Sequence, residues 1–86
     1  MSGHQIFFAR SARRELERLP REIGKRVIDR IEKLALDPRP RGCKKLQGSS
    51  DLWRIRIGEY RVVYEMRESE QHIDIIVVRH RSDAYR

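Results

Sequence analysis

The stretch Leu52-Trp53-Arg54-Ile55-Arg56-Ile57-Gly58-Glu59-Tyr60-Arg61-Val62-Val63-Tyr64 decides how this chain folds. Apolar and polar residues alternate with a period of two on either side of Gly58-Glu59, the pattern of two half-buried strands. A glycine at the first of two loop positions suits a type II′ turn, so the stretch reads as a hairpin whose register follows from its loop. With Gly58 and Glu59 as the loop, Ile57 is expected opposite Tyr60, Arg56 opposite Arg61, Ile55 opposite Val62 and Arg54 opposite Val63. One face then carries Trp53, Ile55, Ile57, Tyr60, Val62 and Tyr64 and must be core. The other face gathers Arg54, Arg56 and Arg61.

Upstream, Ile6-Phe7-Phe8-Ala9 is rich in strand formers, and Ser11 follows as a natural helix N-cap. Ala12, Leu16 and Leu19 recur at helical spacing until Pro20, which interrupts that helix and suits the first turn of another. Ile23, Val27, Ile31, Leu34 and Ala35 make one apolar stripe on the second helix, with Arg26, Asp29, Arg30, Glu32 and Lys33 around the remainder. The two helices read as an αα-hairpin, closed by the loop Pro38-Arg39-Pro40-Arg41-Gly42. Downstream, Ile73-Asp74-Ile75-Ile76-Val77-Val78 is apolar on both faces at its centre and reads as an interior strand. A three-residue loop Ser69-Glu70-Gln71 would set Arg79 opposite Arg61, and a slip of one residue would turn it to the other face. The order β-α-α-β-β-β predicts an α+β domain with the helical hairpin packed on one face of a mostly antiparallel four-stranded sheet.

All 86 residues fit one domain, 1–86, with no repeat or linker. A chain this short buries only roughly 60 to 65 per cent of its unfolded surface, too little to enclose a large cofactor. No cofactor and no metal are expected: Cys43 is the single cysteine, and His4, His72 and His80 are scattered. No apolar run approaches the ~20 residues of a spanning helix, and the N-terminus lacks a signal-peptide pattern, so the expected compartment is the cytosol. The formal charge is +7, distributed as +4 over residues 1–40, +4 over 41–61 and −1 over 62–86. The excess is densest around the hairpin, as expected for a protein that meets a polyanion.

Like charges directly opposite one another weaken a sheet by about as much as a favourable pair strengthens it, ~0.2 to 1 kcal/mol, so opposing Arg56 and Arg61 makes poor architecture. It makes sense if an anion sits there. All three hairpin cations are arginines, whose planar fork grips phosphate in a bidentate manner, and Arg79 would add a fourth. His80 is the residue of the C-terminal stretch whose ordinary pKa suits proton transfer near neutrality. Tyr85 has two readings, stacking on a nucleobase or anchoring the tail.

These residues resemble a known family. The hairpin pattern, followed by Ile75-Ile76-Val77-Val78-Arg79-His80-Arg81-Ser82-Asp83-Ala84-Tyr85, is similar to the RelE/ParE superfamily of toxins from bacterial type II toxin–antitoxin systems. Ala12-Arg13-Arg14-Glu15-Leu16-Glu17-Arg18-Leu19-Pro20 and Lys44-Lys45-Leu46-Gln47-Gly48 fit it too. RelE-type members are ribosome-dependent mRNA endonucleases, whereas ParE-type members share the fold and poison DNA gyrase. The resemblance implies a catalytic set of Arg54, Arg56, Arg61, Arg79 and Tyr85, with His80 beside it as acid or base. It also implies RNA contacts from Lys44, Lys45 and Arg81. The implied partners are a cognate antitoxin, ribosomal RNA and mRNA. The implied reaction is attack of a ribose 2′-OH on the adjacent phosphate, giving a 2′,3′-cyclic phosphate and a 5′-OH. A ParE-like gyrase inhibitor, or a non-catalytic RNA-binding member of the fold, is the alternative. One departure bears on mechanism: in the best-known RelE-type site the second-strand positions are lysines, one proposed as base. Arg54 and Arg56 stay protonated and cannot take that role.

Overall fold

The structure, a computed structural model, describes residues 3–48 and 51–82. The chain runs β1 (Gln5–Phe8), α1 (Arg10–Glu17), α2 (Arg21–Leu34), β2 (Lys44–Lys45), β3 (Leu52–Ile57), β4 (Tyr60–Arg67), a single 3-10 turn (Glu68–Glu70) and β5 (His72–His80). The sheet order is β1-β5-β4-β3-β2, with β1 parallel to β5 and every other pair antiparallel. This is the expected α+β architecture with one strand more. The addition is β2, whose two lysines pair with Arg54 and Trp53 at the sheet's edge. Two consecutive lysines carry no alternation that would mark a strand, and lysine-rich edges discourage pairing between molecules.

The β3–β4 hairpin has the register its loop dictates, from Ile57 opposite Tyr60 to Arg54 opposite Val63. Gly58 has φ +59, and Glu59 is not among the positive-φ residues, which fits a type II′ turn and excludes type I′. Ile55, Ile57, Val62 and Tyr64 are buried, and Val27, Ile31 and Leu34 of α2 with Ala12 of α1 complete the core against them. Trp53 packs at the margin with the Arg39 guanidinium 5.3 Å from its ring centroid. The Tyr64 hydroxyl donates to the Pro38 carbonyl at 2.5 Å, fastening the Pro-Arg-Pro loop to the sheet.

Helix boundaries differ by a residue or two from the sequence reading. Helix α1 starts at Arg10 behind Ala9, so Ser11 lies inside the first turn rather than capping it. Pro20 is the N-cap of α2, one position before the first turn.

Strand β5 is the interior strand anticipated, flanked by β1 and β4. The turn before it is four residues, 68–71, not three, with Gln71 at φ +54. Pairing therefore starts one residue out from the expected register, at Arg67 opposite His72. A bulge restores it: Tyr64 faces Ile75, but Val63 faces Val77, leaving Ile76 as the extra residue. Buried positions on β5 accordingly run Ile73, Ile75, Val78. Regular alternation from Ile73 would have carried Arg79 into the core. With the bulge, Arg79 lies opposite Arg61 on the outer face.

Candidate nucleic-acid interface

The pairings bring Arg56, Arg61 and Arg79 into one row across β3, β4 and β5, on the face turned away from the helices. Arg54 lies on the same face two residues along β3, and Lys44 opposes it from β2. Directly paired residues stand with Cβ atoms about 4.5 to 5.5 Å apart, so three guanidinium stems spring from adjacent strands.

The side chains divide this basic end into a cleft and a clasp. Arg56, Arg61 and Arg81, with Tyr60, Gly58 and Glu59, line a cleft of ≈ 280 Å³. Arg81 reaches it because its amide N–H donates to the Glu59 carbonyl at 2.7 Å, folding the end of β5 over the hairpin turn. Its Nε stands 3.4 Å from Glu59 Oε1. The Arg79 head goes elsewhere: its Nε donates to Glu15 Oε2 of α1 at 2.7 Å, while Glu15 Oε1 accepts the Val78 N–H at 3.0 Å.

His80 is opposite Tyr60 in the ladder, so it belongs to the helix-side face, one residue beyond the row. Its ring meets Tyr60 edge-on at 5.1 Å. Nδ1 accepts the Ser82 N–H at 3.2 Å and lies 2.9 Å from Ser82 Oγ, so neutral His80 carries its proton on Nε2. By register Lys44 shares the arginine face, and Lys45, opposite Trp53, does not. Tyr85 lies outside the described residues. Two carboxylates at this end are not among the expected site residues. Glu59 lines the cleft and is detectable in principle as the one acidic residue of the hairpin loop. Glu15 is not, because only the packing of α1 brings it to β5.

The far end of the outer face differs in character. There Arg67 is bracketed by Glu65 at 3.4 Å, Asp74 at 3.5 Å and Glu70 at 4.0 Å, and His72 sits 3.3 Å from Glu70. Among the described residues no group of three or more His, Cys, Asp or Glu side chains is arranged to hold a metal ion. No helix among them is long and apolar enough to cross a membrane.

The family profile described as ParE toxin of type II toxin–antitoxin system, parDE, matches residues 6–85, nearly the whole chain. The chain belongs to the RelE/ParE toxin family. A relative named toxin RelE1, from Methanocaldococcus jannaschii, is 33% identical over 76 residues, covering 85% of this chain and 84% of its own. Among solved structures, the archaeal RelE–RelB complex of Pyrococcus horikoshii OT3 superposes with a TM-score of 0.83 at 28% identity, over 95% of this chain and 99% of that one. The RelBE2 toxin–antitoxin complex of Mycobacterium tuberculosis gives 0.81 at 29%, over 96% and 97%. This RelE/ParE chain is thus a toxin of the type II class by family.

Proposed function

We propose that this toxin is a ribosome-dependent mRNA endonuclease of RelE type, silenced by a cognate antitoxin. The observation carrying the reading is the cleft in which Arg56, Arg61 and Arg81 converge beside an aromatic ring. Three guanidinium groups, from β3, β4 and the residue after β5, suit a phosphodiester, whose developing negative charge in the transition state they would stabilise. The 2′-oxygen forms a bond to phosphorus as the 5′-oxygen of the next nucleotide leaves, which requires one proton to be removed and another supplied. Arg54 and Arg79 would orient the flanking phosphates, with Lys44 along the RNA backbone. His80 is the nearest imidazole to the row in sequence and would serve as the acid, giving a proton from its imidazolium form to the leaving 5′-oxygen. Tyr85 would stack on a base. An antitoxin partner is supported by the complexes in which the similar RelE chains were solved, and the ribosome would supply rRNA and the geometry that an 86-residue chain lacks.

The test is cleavage of a defined mRNA on programmed ribosomes, with 5′-end mapping. Cuts should fall in the A-site codon and only when ribosomes are present. Arg61→Ala should slow them by on the order of 10²-fold, the usual cost of one transition-state donor. His80→Ala cleaving at wild-type rate across about pH 6 to 8 would remove the imidazole from the reaction. The name of the matching profile favours one other reading, gyrase poisoning. Intact mRNA together with gyrase-dependent DNA breaks would establish that instead.

A further inference from the structure

We infer that Glu15 is a positioning residue, holding the Arg79 guanidinium in the orientation in which it meets the substrate phosphate. The inference rests on the proposed nuclease reading for what Arg79 does, and on geometry for how it is held. Strand β1 stops pairing at Phe8 opposite Ile75, and the Ala9 N–H gives the last backbone bond to that side of β5 at 2.8 Å. From there to His80, β5 has β4 on one side and, among the described residues, no strand on the other. Helix α1 crosses this open edge, and Glu15 takes the place of the missing strand: one carboxylate oxygen accepts the Val78 N–H, the other the Arg79 Nε.

A single carboxylate thus joins the backbone of one residue to the side chain of the next. Both oxygens are committed, so the carboxylate cannot rotate without breaking a bond, and Arg79 inherits that rigidity. The Glu15 side chain is only 25% exposed and that of Arg79 45%, so the contact is partly shielded from water. An arginine left to itself samples many rotamers, and fixing its fork beforehand lowers the entropy lost when it binds. The bulge at Ile76 is part of the device. It turns Arg79 outward while presenting the Val78 N–H to the edge.

Glu15→Gln keeps an acceptor for the Val78 N–H but loses the ion pair, so it separates positioning from folding. It also removes one negative charge near the site, which favours RNA binding. In the full-length protein on programmed ribosomes, Glu15→Gln should lower kcat roughly ten- to a hundred-fold with KM unchanged or reduced. In an Arg79→Ala background the same change should have no further effect, because the two residues act through one contact. Thermal melting of each variant controls for the fold. Wild-type kcat in Glu15→Gln, or effects of the two substitutions that simply multiply, would overturn the assignment. If the wild-type toxin cuts no mRNA, the nuclease reading fails separately. The Arg79 Nε–H resonance then decides the contact: it should be slowly exchanging in wild type, lost in Glu15→Gln, and displaced by inorganic phosphate in wild type alone. A resonance identical in the two proteins would overturn the positioning role.

Discussion

Tyr64 is the largest fully buried side chain, and its one polar atom is spent on fastening a loop. Burial, with further contributions from Cys43 and Asp37 nearby, pushes the phenol above its ordinary value near 10. The neutral form is therefore the one the fold prefers. The resulting stability is fully present below about pH 10 and is lost as pH rises toward the raised folded-state value, at up to ~1.4 kcal/mol per pH unit for one proton. Tyr64→Phe removes the hydroxyl and should cost about 1 kcal/mol at neutral pH. Denaturant titrations should give a shallower loss of stability above pH 10 for this variant than for wild type. Equal slopes would mean that Tyr64 does not titrate with unfolding. The residue matters to the basic face because the loop it anchors leads directly into Lys44.

At the scale of elements, the β3–β4 turn sets the arginine row, and Gly58 sets the turn. A Cβ on Gly58 would meet only the Arg26 guanidinium at an ordinary 3.7 Å, so space is not the constraint. The constraint is φ +59, costly for an L-residue. Gly58→Ala should lower the unfolding free energy by about 1 to 2 kcal/mol, and Gly58→Asn by less, in urea titrations. The hairpin was legible in the sequence because its loop is two residues and its flanks alternate without fault. Strand β5 was legible in kind but not in detail. The four-residue turn exceeds the expected three, and the extra Ile76 restores the register, so Arg79 arrives opposite Arg61 by a path no periodicity reveals. An Ile-Ile-Val-Val run has no polar residue to show where alternation breaks. The Glu15 contact and the two-residue β2 were illegible for a related reason: both depend on which elements end up adjacent, not on any local pattern.

For the whole molecule, the net charge of +7 conceals a polarised sheet. One end of the outer face carries Lys44, Arg54, Arg56 and Arg61, while at the other Arg67 is enclosed by carboxylates. A single-stranded RNA tracking this face should register the first end and not the second. Each phosphate contact contributes about 0.7 to the slope of log K against log salt. Arg61→Ala should therefore flatten that slope by about 0.7 for a short RNA, whereas Arg67→Ala should leave it unchanged. Equal effects in a filter-binding or fluorescence titration would mean that the protein reads only total charge. The sequence disclosed the excess and its concentration around the hairpin, but the carboxylate cage around Arg67 needed the fold, since Glu65, Glu70 and Asp74 come from two strands and the turn between them.

The interior position of β5 has a consequence for the order of events in synthesis. Its residues are translated after every other described element, yet β1, made first, pairs among the described residues with β5 alone, and the arginine row takes its third member from β5. Until residues 72–80 have cleared the ribosome, the sheet is an isolated hairpin with a two-residue edge strand, and β1 and Glu15 lack their partner strand. A nascent copy in which residues 72–80 are still inside the ribosome therefore lacks the assembled basic face, and completion of the fold is deferred until that strand has emerged.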